Sequence, residues 1–582
     1  MGNLINLRHV YISFQWLLKG MPSRFGRLIC LLTLSVYVVG KDVGFGLKEM
    51  KNLTNLQDSL CISRLQNVND VGDAEEADLI SKKNLQELEL IWIGSFKMSK
   101  NFEIESQVLE KLKVYQMLEK LTIRRYGGTK FPSWLGNTSF SSLVLLRFED
   151  CKNCTSLPPI GQLPLLKYLS IIGGSEIEII GPEFYGTGFS KPFQSLENLY
   201  IKDMKEWEYW IPLGLGKDIV GKVQDINFSM QGEADLPLEL RFIVIKKCNA
   251  LEPLPMSWMQ SSNTSLEILS IQQCDSLTYI ARVQLPPNLK KLEIIRCSSL
   301  QILVDEEKNV NSDICRNNLP LECSKIFYCQ SKGNLPKAHK NLYILGCSKL
   351  ESIAGSVHGN TSLETLEIQQ CENLKVLPND PHNVSRLQDF SISSCKSIVP
   401  FPDWSLPSVN LKTIRIMGCE KLDCLPSGMN NLSSLQSLSI LCCPDIVSIP
   451  KDGFHINLTS LRIIDVKICK PIFEWEMHRL TSLKELYITK GCPDMISFPQ
   501  EEIGMILPIS LTTLDIYDFP NLERLSSVFQ NLTSLEGLHL DDCPKLKFFP
   551  ENGLPPSLLR LQIYGCPLLN KVAKGIKDFI GQ

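Results

Sequence analysis

Hydrophobic residues recur at fixed intervals along the second half of the chain. The stretch LETLEIQQCENL, which begins at Leu363, follows the frame L-x-x-L-x-I-x-x-C-x-x-L. The frame begins again, with conservative replacements, at Leu387, Leu411 and Leu435, each 24 residues after the last. A repeated frame predicts an array of similar structural units stacked on one another.

Within one copy the spacing predicts a β-strand. Leu366 and Ile368 are two residues apart, so a strand turns both toward the core, while Glu367 and Gln369 point to the opposite, open face. The period lies within the 20–29 residues of leucine-rich repeats. We therefore predict an α/β solenoid, a leucine-rich-repeat horseshoe with a parallel β-sheet on its concave face. The convex face is left for short 3₁₀ turns or loops.

Looser spacings extend the series over nearly the whole chain. Downstream copies begin at Leu461, Leu483, Leu511, Leu535 and Leu558. Upstream copies begin at Leu289, Leu266, Leu240, Leu196, Leu166, Leu143 and Leu118 and, in weaker form, at Leu85, Leu56 and Leu4.

Breaks in the rhythm suggest a division into segments. Repeats are predicted over residues 1–203, 234–303 and 341–569, with irregular insertions at 204–233 and 304–340. Residues 570–582 are predicted to form a helical cap or tail, because Val572, Ile576, Phe579 and Ile580 fit one helical face. Trp207 and Trp210 open the first insertion, either as a binding hot spot or as packed loop anchors.

Cysteine recurs at the corner that follows each predicted strand. Of 21 cysteines, thirteen stand at or within one residue of this position: Cys151, Cys248, Cys274, Cys297, Cys347, Cys371, Cys395, Cys419, Cys443, Cys469, Cys492, Cys543 and Cys566. A ladder of like residues predicts packing inside the corner, with the thiol donating weakly to the turning backbone. Cys151 and Cys154 form a lone C-x-x-C without the second pair that a zinc site needs.

Charge and motifs exclude several classes of function. The chain has 60 basic and 63 acidic residues, a net charge of -3, and hence no basic footprint for nucleic acid. The apolar run from Leu28 to Val39 is too short to span a membrane and reads as buried strands. The run at Asp73, DAEEADLISKK, is predicted to be a solvated face. Within it, Asp78 and Lys82 have the spacing of an ion pair on a helix. No phosphate loop, metal-ligand cluster or catalytic constellation is present, so we expect neither enzymatic activity nor a cofactor.

The polar positions of the predicted strands are the candidate binding site for a protein. Their chemistry varies from copy to copy while the leucines do not, as on a tailored surface over a constant scaffold. The predicted concave-face residues are Glu367, Gln369, Ser391, Ser393, Arg415, Met417, Asp465, Lys467, Asp515, Tyr517, His539 and Asp541.

Several longer phrases resemble one family. MGNLINLRHVYI, VYVVGKDVGFGLKEMKNLTNLQ, DAEEADLISKKNLQELEL, YGGTKFPSWLG, LPPIGQLPLLKYLSI and GLPPSLLRLQIYGCPLL occur in order along the chain. They resemble the leucine-rich-repeat region of plant nucleotide-binding disease resistance proteins of the coiled-coil class. The coiled-coil and nucleotide-binding domains of that family are not found in this sequence.

The resemblance implies a non-catalytic recognition module of plant defence in the cytoplasm. The implied ligand is a pathogen effector or a guarded host protein, and a further implied partner is the nucleotide-binding switch domain of a related receptor. Two alternatives remain open at this point. One is a substrate adaptor of a ubiquitin ligase, of the F-box type, and the other is a receptor ectodomain glycosylated at sequons such as Asn431 and Asn531.

Overall fold

A computed structural model describes most of the 582-residue chain. The described residues are 3–13, 17–42, 45–93, 102–186, 192–211, 239–252, 254, 265–281, 285–300, 302–304, 321–330, 339–353, 362–375, 377, 385–398, 410–426, 428–464, 476–490, 494–500 and 504–569. The chain divides into two compact units, Met1–Leu319 and Pro320–Gln582, here called unit 1 and unit 2.

Short β-strands separated by turns make up most of the described regular structure. The strands of unit 1 are β1 His9–Val10, β2 Thr33–Leu34, β3 Val36–Val38, β4 Gln57–Ser63, β5 Asn84–Ile91, β6 Lys120–Arg124, β7 Leu145–Glu149, β8 Tyr168–Ile172, β9 Ile179–Ile180, β10 Asn198–Lys202, β11 Tyr209–Trp210, β12 Phe242–Lys246, β13 Ile268–Gln272, β14 Tyr279–Ala281, β15 Lys291–Ile295 and β16 Ile302–Val304. Those of unit 2 are β17 Leu321–Phe327, β18 His339–Leu345, β19 Thr365–Gln369, β20 Asp389–Ser393, β21 Thr413–Met417, β22 Ser437–Leu441, β23 Ser460–Ile464, β24 Glu485–Thr489, β25 Ser497–Phe498, β26 Thr513–Tyr517, β27 Arg524–Leu525, β28 Gly537–Asp541 and β29 Arg560–Tyr564.

Each unit contains one long parallel sheet. In unit 1 it runs β3-β4-β5-β6-β7-β8-β10-β12-β13-β15. In unit 2 it runs β17-β18-β19-β20-β21-β22-β23-β24-β26-β28-β29. Equivalent residues lie opposite each other, as Leu342, Leu366 and Phe390 do on successive strands. We call each strand of such a sheet a rung. The predicted leucine-rich-repeat solenoid is confirmed.

A left-handed backbone residue ends many of the rungs. Gln370 follows β19 with φ of 53°, and its N–H donates to the carbonyl of Ser393 on the next rung at 2.9 Å. Ser394 repeats this geometry with φ of 52° and donates to Met417 at 2.7 Å. The reversal directs the chain out of the sheet, so that the following cysteine falls inside the corner.

The return segments are short, as the limited residue count per repeat predicts. They hold 3₁₀ helices at Phe25–Arg27, Leu47–Met50, Leu65–Asn67, Leu79–Ser81, Ile160–Gln162, Pro182–Tyr185, Met429–Asn431, Met477–Arg479 and Ser527–Asn531. Two-stranded parallel sheets join β9 with β11, β14 with β16 and β25 with β27, and β1 pairs with β2. The α-helices with both ends described are α1, Val71–Glu76, and α2, Phe102–Lys111, and residues 567–569 are also helical.

The structure corrects the reading of the acidic-to-basic run at Asp73. Helix α1 ends at Glu76, Asp78 is left-handed, and a single 3₁₀ turn, Leu79–Ser81, follows it, so Asp78 and Lys82 do not share an α-helix. Lys82 is fully buried, and its Nζ donates to the carbonyls of Met50 (3.0 Å), Ala77 (3.1 Å) and Asp78 (3.2 Å). Three convergent carbonyl oxygens at the end of a short helix replace water around the ammonium group. Lys82 is therefore an internal tie and not part of a solvated face.

The segments that the sequence marks as insertions contain strands of their own. Strand β11 lies within 204–233, and β17 lies within 304–340 as a rung beside β18. The predicted cap, 570–582, falls outside the described residues. The apolar run at Leu28 forms β2 and β3, with the side chains of Val36, Tyr37 and Val38 buried. Among the described residues, no helix combines the length and apolar character needed to cross a membrane.

Candidate protein-binding face

Strand alternation creates a solvent-facing surface on the long sheet of unit 2. In β19, Leu366 and Ile368 are buried, whereas Thr365, Glu367 and Gln369 are partly exposed. We call the side of the sheet that carries these exposed positions the open face. The two positions flanking the second buried residue, here Glu367 and Gln369, are called the third and fifth positions of the rung.

The first three pairs of predicted site residues lie side by side on this face. Glu367, Ser391 and Arg415 are direct neighbours at the third position of β19, β20 and β21. Gln369, Ser393 and Met417 are neighbours at the fifth position. The Gln369 side chain donates to the Glu367 carboxylate, so this pair is preoriented within its own rung. Ser393 is buried and contributes little accessible surface.

The last two pairs of predicted residues are neighbours as well. Asp515 lies opposite His539 at the third position of β26 and β28, and Tyr517 lies opposite Asp541 at the fifth. His539 Nδ1 is 2.5 Å from Asp515 Oδ1. Burial raises the pKa of Asp515, and the neighbouring His539 opposes that effect. This end of the face is a compact group of two carboxylates, one imidazole and one phenol.

The register of β23 differs from the one that the fourth predicted pair assumed. Asp465 and Lys467 lie outside the described residues. Strand β23 ends at Ile464, and Leu461 pairs with Leu438 of β22, so Arg462 and Ile464 hold the third and fifth positions. The sequence LTSLRIIDVKIC fits the frame at two overlapping starts, Leu458 and Leu461, and Cys469 favours the second. The neighbouring strand selects the first.

Four further residues belong to the face and were missed. Ser439 and Leu441 occupy β22, and Tyr487 and Thr489 occupy β24, at the same two positions. The regular frame starting at Leu435 and Leu483 could have identified them. With Arg462 and Ile464 included, the face continues without a gap over β19, β20, β21, β22, β23, β24, β26 and β28.

The open face of unit 1 differs in how its charges are used. Arg124 of β6 bridges Glu89 of β5 at 2.8 Å and Glu149 of β7 at 3.0 Å, and Arg147 also contacts Glu149 at 2.9 Å. The charges of these rungs are thus satisfied within the sheet. In unit 2, Arg415 and Arg462 form no ion pair with any described residue.

The corner cysteines have the packing role predicted for them. Cys371 is buried, and its thiol lies 3.4 Å from the carbonyl oxygen of Gln369, two residues earlier. Equivalent contacts are made by Cys151, Cys248, Cys274, Cys297, Cys347, Cys395, Cys419, Cys443 and Cys543. Cys566 donates instead to Leu540 of the preceding rung. Cys469 and Cys492 lie outside the described residues.

The lone C-x-x-C motif is internal as well. Cys154 donates to the Gly128 carbonyl at 3.3 Å, and burial raises the pKa of the Cys151 thiol to about 12. Within the described part of the chain, no group of three or more histidine, cysteine or acidic side chains is arranged to hold a metal ion.

Trp207 and Trp210 are packed anchors. Their rings lie 5.7 Å apart, and both are buried. Trp210 Nε1 donates to the Tyr185 hydroxyl at 2.6 Å, and its ring packs edge-on against Phe184. The two tryptophan side chains therefore pack inside the return segment and do not form an exposed binding hot spot.

Together, a period near 24 residues, one parallel rung per repeat and a buried corner residue define a leucine-rich-repeat protein. Residues 47–173 match the family model described as R13L1/DRL21 leucine-rich repeats. Proteins of this class are in general interaction modules, with extended binding surfaces formed by the stacked repeats.

Several curated relatives are named as disease resistance proteins of plants. The chain is 35% identical over 326 residues to the putative disease resistance RPP13-like protein 1 of Arabidopsis thaliana, covering 52% of this chain and 30% of that protein. It is 39% identical over 187 residues to the putative disease resistance protein RGA4 of Solanum bulbocastanum, covering 32% and 19%. The chain thus spans about a third or less of these relatives. The resemblance to the repeat region of plant resistance proteins is confirmed.

Solved structures of repeat proteins are also similar over most of the chain. A leucine-rich-repeat protein from Bacteroides eggerthii aligns with a TM-score of 0.46 at 14% identity, covering 93% of this chain and 88% of that one. A Leptospira interrogans leucine-rich-repeat protein aligns with a TM-score of 0.37 at 18% identity, covering 94% and 97%.

Proposed function

We propose that this protein is a non-catalytic recognition module of plant defence, which senses pathogen effectors directly or through a guarded host protein. The observation that carries the proposal is the continuous open face of β19–β28. Its accessible side chains change from rung to rung over a constant buried scaffold. The names of the relatives supply the biological process.

A reducing, cytoplasmic location forms part of the proposal. No disulfide joins any two of the described cysteines, including stacked neighbours such as Cys371 and Cys395. Reduced thiols in such number are typical of proteins that act in a compartment where disulfides do not persist. The nucleotide-binding switch domain of a related receptor is proposed as a second partner.

A two-hybrid screen against pathogen effectors and host proteins tests the function. The wild-type chain is compared with an open-face variant, Glu367→Ser, Tyr487→Ser and His539→Ser, and with a control, Lys375→Ser and Lys396→Ser, whose exposed residues lie off that face. We expect preys that the control retains and the open-face variant loses. A prey set that both variants retain equally would contradict recognition through this face, and interaction with no effector or host protein would contradict the function.

A further inference from the structure

The open face of unit 2 changes in charge along its length. From β21 to β28 the third positions are Arg415, Ser439, Arg462, Tyr487, Asp515 and His539. Basic groups occupy one end and carboxylates the other, with a tyrosine between them. We call these six rungs, with their fifth positions, the polarised strip.

The arginines of the basic end form no ion pair with a described residue, although Arg462 is close enough to oppose the burial that raises the pKa of Asp515. Arg415 and Arg462 are two rungs apart, which is roughly 10 Å at the usual strand spacing. Ser439 lies between them and is only 5% exposed, so the surface there is a shallow floor flanked by two guanidinium groups. Arg462 lies over the Tyr487 ring, 5.9 Å from its centroid, which orients the group without cancelling its charge.

An aliphatic row runs beside these arginines. Met417, Leu441 and Ile464 hold the fifth positions of the same three rungs. The Met417 side chain is 43% exposed, and Leu441 and Ile464 are partly exposed. Adjacent exposed aliphatic side chains on three rungs provide a contact that favours an apolar partner side chain.

The opposite end is acidic. Asp515 and Asp541 face the single imidazole of His539, so the carboxylates keep a net negative charge even when that imidazole is protonated. Asp541 Oδ1 is buried and has no hydrogen-bond partner among the described residues, so a ligand reaches this carboxylate through its other oxygen. Tyr517 stands beside these carboxylates and is exposed. A cationic side chain flanked by tyrosines is the complement of this end.

We propose that the polarised strip binds an extended segment of a protein partner, and that the segment is itself polarised. An acidic side chain meets Arg415 and Arg462, aliphatic side chains contact Met417, Leu441 and Ile464, and a lysine or arginine meets Asp515 and Asp541. This inference rests on the proposed function and specifies its ligand. Five strand spacings span roughly 24 Å, the length of about seven extended residues.

The sign change along the strip sets specificity. A segment with the charges reversed places like charges opposite each other at both ends, which opposes binding. Nucleic acid would bring phosphates against Asp515 and Asp541, so the strip favours protein over a polyanion.

Selection from a random peptide library of about twelve residues, displayed on phage, tests the proposal with the full chain as bait. We expect enrichment of peptides with an acidic and a basic residue about five to six positions apart and aliphatic residues nearer the acidic one. A selected peptide is then synthesised, and its Kd is measured for wild type, for Arg415→Glu with Arg462→Glu, and for a control, Lys396→Glu with Lys451→Glu, which lies off the open face.

The double arginine variant should bind at least about tenfold more weakly, and a peptide with lysine in place of its acidic residue should restore the affinity. The control should bind as wild type does. If the charge-reversed variant fails to fold, as judged by circular dichroism, Arg415→Gln with Arg462→Gln replaces it, with a loss of about tenfold still expected.

Three results would overturn the proposal: no enriched peptides, peptides without the charge pattern, or affinity that the arginine variants leave unchanged. None of these three results contradicts the proposed function if the open-face variant still loses its two-hybrid preys. If the open-face variant and the control retain the same preys, the proposed function itself is contradicted. A selection for poly-acidic peptides alone would favour nucleic acid or another polyanion as ligand and would also count against the strip.

Discussion

At the scale of single residues, the corner of the repeat combines an unfavourable backbone conformation with a hydrogen bond. Gln370 and Ser394 adopt left-handed backbones at a cost of about 1 kcal/mol each, which glycine avoids. Their N–H groups extend the ladder to the next rung. Gly346 and Gly418 stand at the same position in neighbouring repeats, with φ of 67° and 61°. The corner therefore tolerates many side chains but favours glycine.

The Gly418→Ala substitution tests this account. A Cβ at Gly418 would lie 3.4 Å from the Ser394 hydroxyl oxygen, so the substitution has space, and its cost is conformational. We expect a loss of about 1 kcal/mol in the free energy of unfolding, measured with urea. Gly537→Ala is the matched control, since Gly537 is extended in β28 and a Cβ there would lie 3.7 Å from Thr513. Equal losses for both variants would contradict the left-handed explanation.

Lys82 is the residue at which sequence reasoning and structure differ most. Burial lowers the pKa of its ammonium group from 10.5 to about 8, although three carbonyls accept from it. Below pH 8 the folded and unfolded chains both keep the proton. Between pH 8 and 10.5 the unfolded chain binds more protons than the folded one, so this group makes stability rise with pH.

Replacing Lys82 by methionine should reveal both effects. Lys82→Met leaves three carbonyls without their donor and should cost about 3 kcal/mol at pH 7. The difference from wild type should widen as the pH rises above about 8, because only the wild type contains the titrating group. Urea titrations at several pH values measure this difference. Lys83→Met is the control, because Lys83 is exposed and should change stability by less than about 0.5 kcal/mol. A constant difference across pH would rule out the lowered pKa.

At the scale of the structural element, the two long sheets use their open faces differently. In unit 1, Arg124 joins β5, β6 and β7 through Glu89 and Glu149. In unit 2, Arg415 holds a third position of its sheet and forms no ion pair with a described residue. Charges that are paired across rungs support the sheet, whereas unpaired ones are available to a partner.

Neutral substitutions distinguish the two arginines. Arg124→Gln should lower the free energy of unfolding by up to about 1 kcal/mol at low salt. The loss should largely vanish near 1 M salt, where the screening length is about 3 Å. Arg415→Gln should stay within about 0.5 kcal/mol of wild type at either salt concentration. A larger loss for Arg415→Gln would show that it supports the fold.

The corner cysteines form a ladder along the stacked repeats, and burial controls how reactive their thiols are. Among the described cysteines, Cys30 and Cys442 are exposed, while Cys371 and Cys395 are buried. Iodoacetamide on the native chain, read by peptide mapping, should label the exposed pair at least about tenfold faster, since alkylation needs an accessible thiolate. Urea should equalise the rates. Rapid native labelling of Cys371 would contradict its corner role.

At the scale of the whole molecule, stability comes from contacts between adjacent repeats. Leu366 of β19 is 1% exposed and lies between Leu342 and Phe390 of the flanking rungs. Leu561 of β29 holds the equivalent position but is 40% exposed. A leucine at this position of the frame therefore contributes to stability according to how far its neighbours cover it.

Leu366→Ala should cost about 3 kcal/mol, and Leu561→Ala should cost less than about 1 kcal/mol. In a stack in which each repeat contacts its neighbours, the effect should also be local. Hydrogen exchange should accelerate in β18, β19 and β20 of the Leu366 variant and stay unchanged in β26 and β28. Uniform acceleration throughout unit 2 would show that its repeats unfold as one cooperative block.

Much of the candidate face could be predicted because strand alternation is local. Glu367, Arg415 and Asp515 lie where the frame places them, each one residue after a buried leucine or isoleucine. Around Leu461 the prediction of the register was wrong, because two overlapping frames fit the letters and Cys469 favours the one that the strand does not adopt. Pairing of Leu461 with Leu438 decides between them, and Leu438 lies on the preceding rung, outside the local pattern.

The amino-acid sequence by itself determined the repeat, the strand alternation and the role of the corner cysteines, because each depends on residues a few positions apart. Only the tertiary structure decided which charges are neutralised, that Lys82 is internal, and that Arg462 joins the polarised strip. Those properties arise between neighbouring repeats about 24 residues apart, where stacking brings together side chains that no local pattern relates.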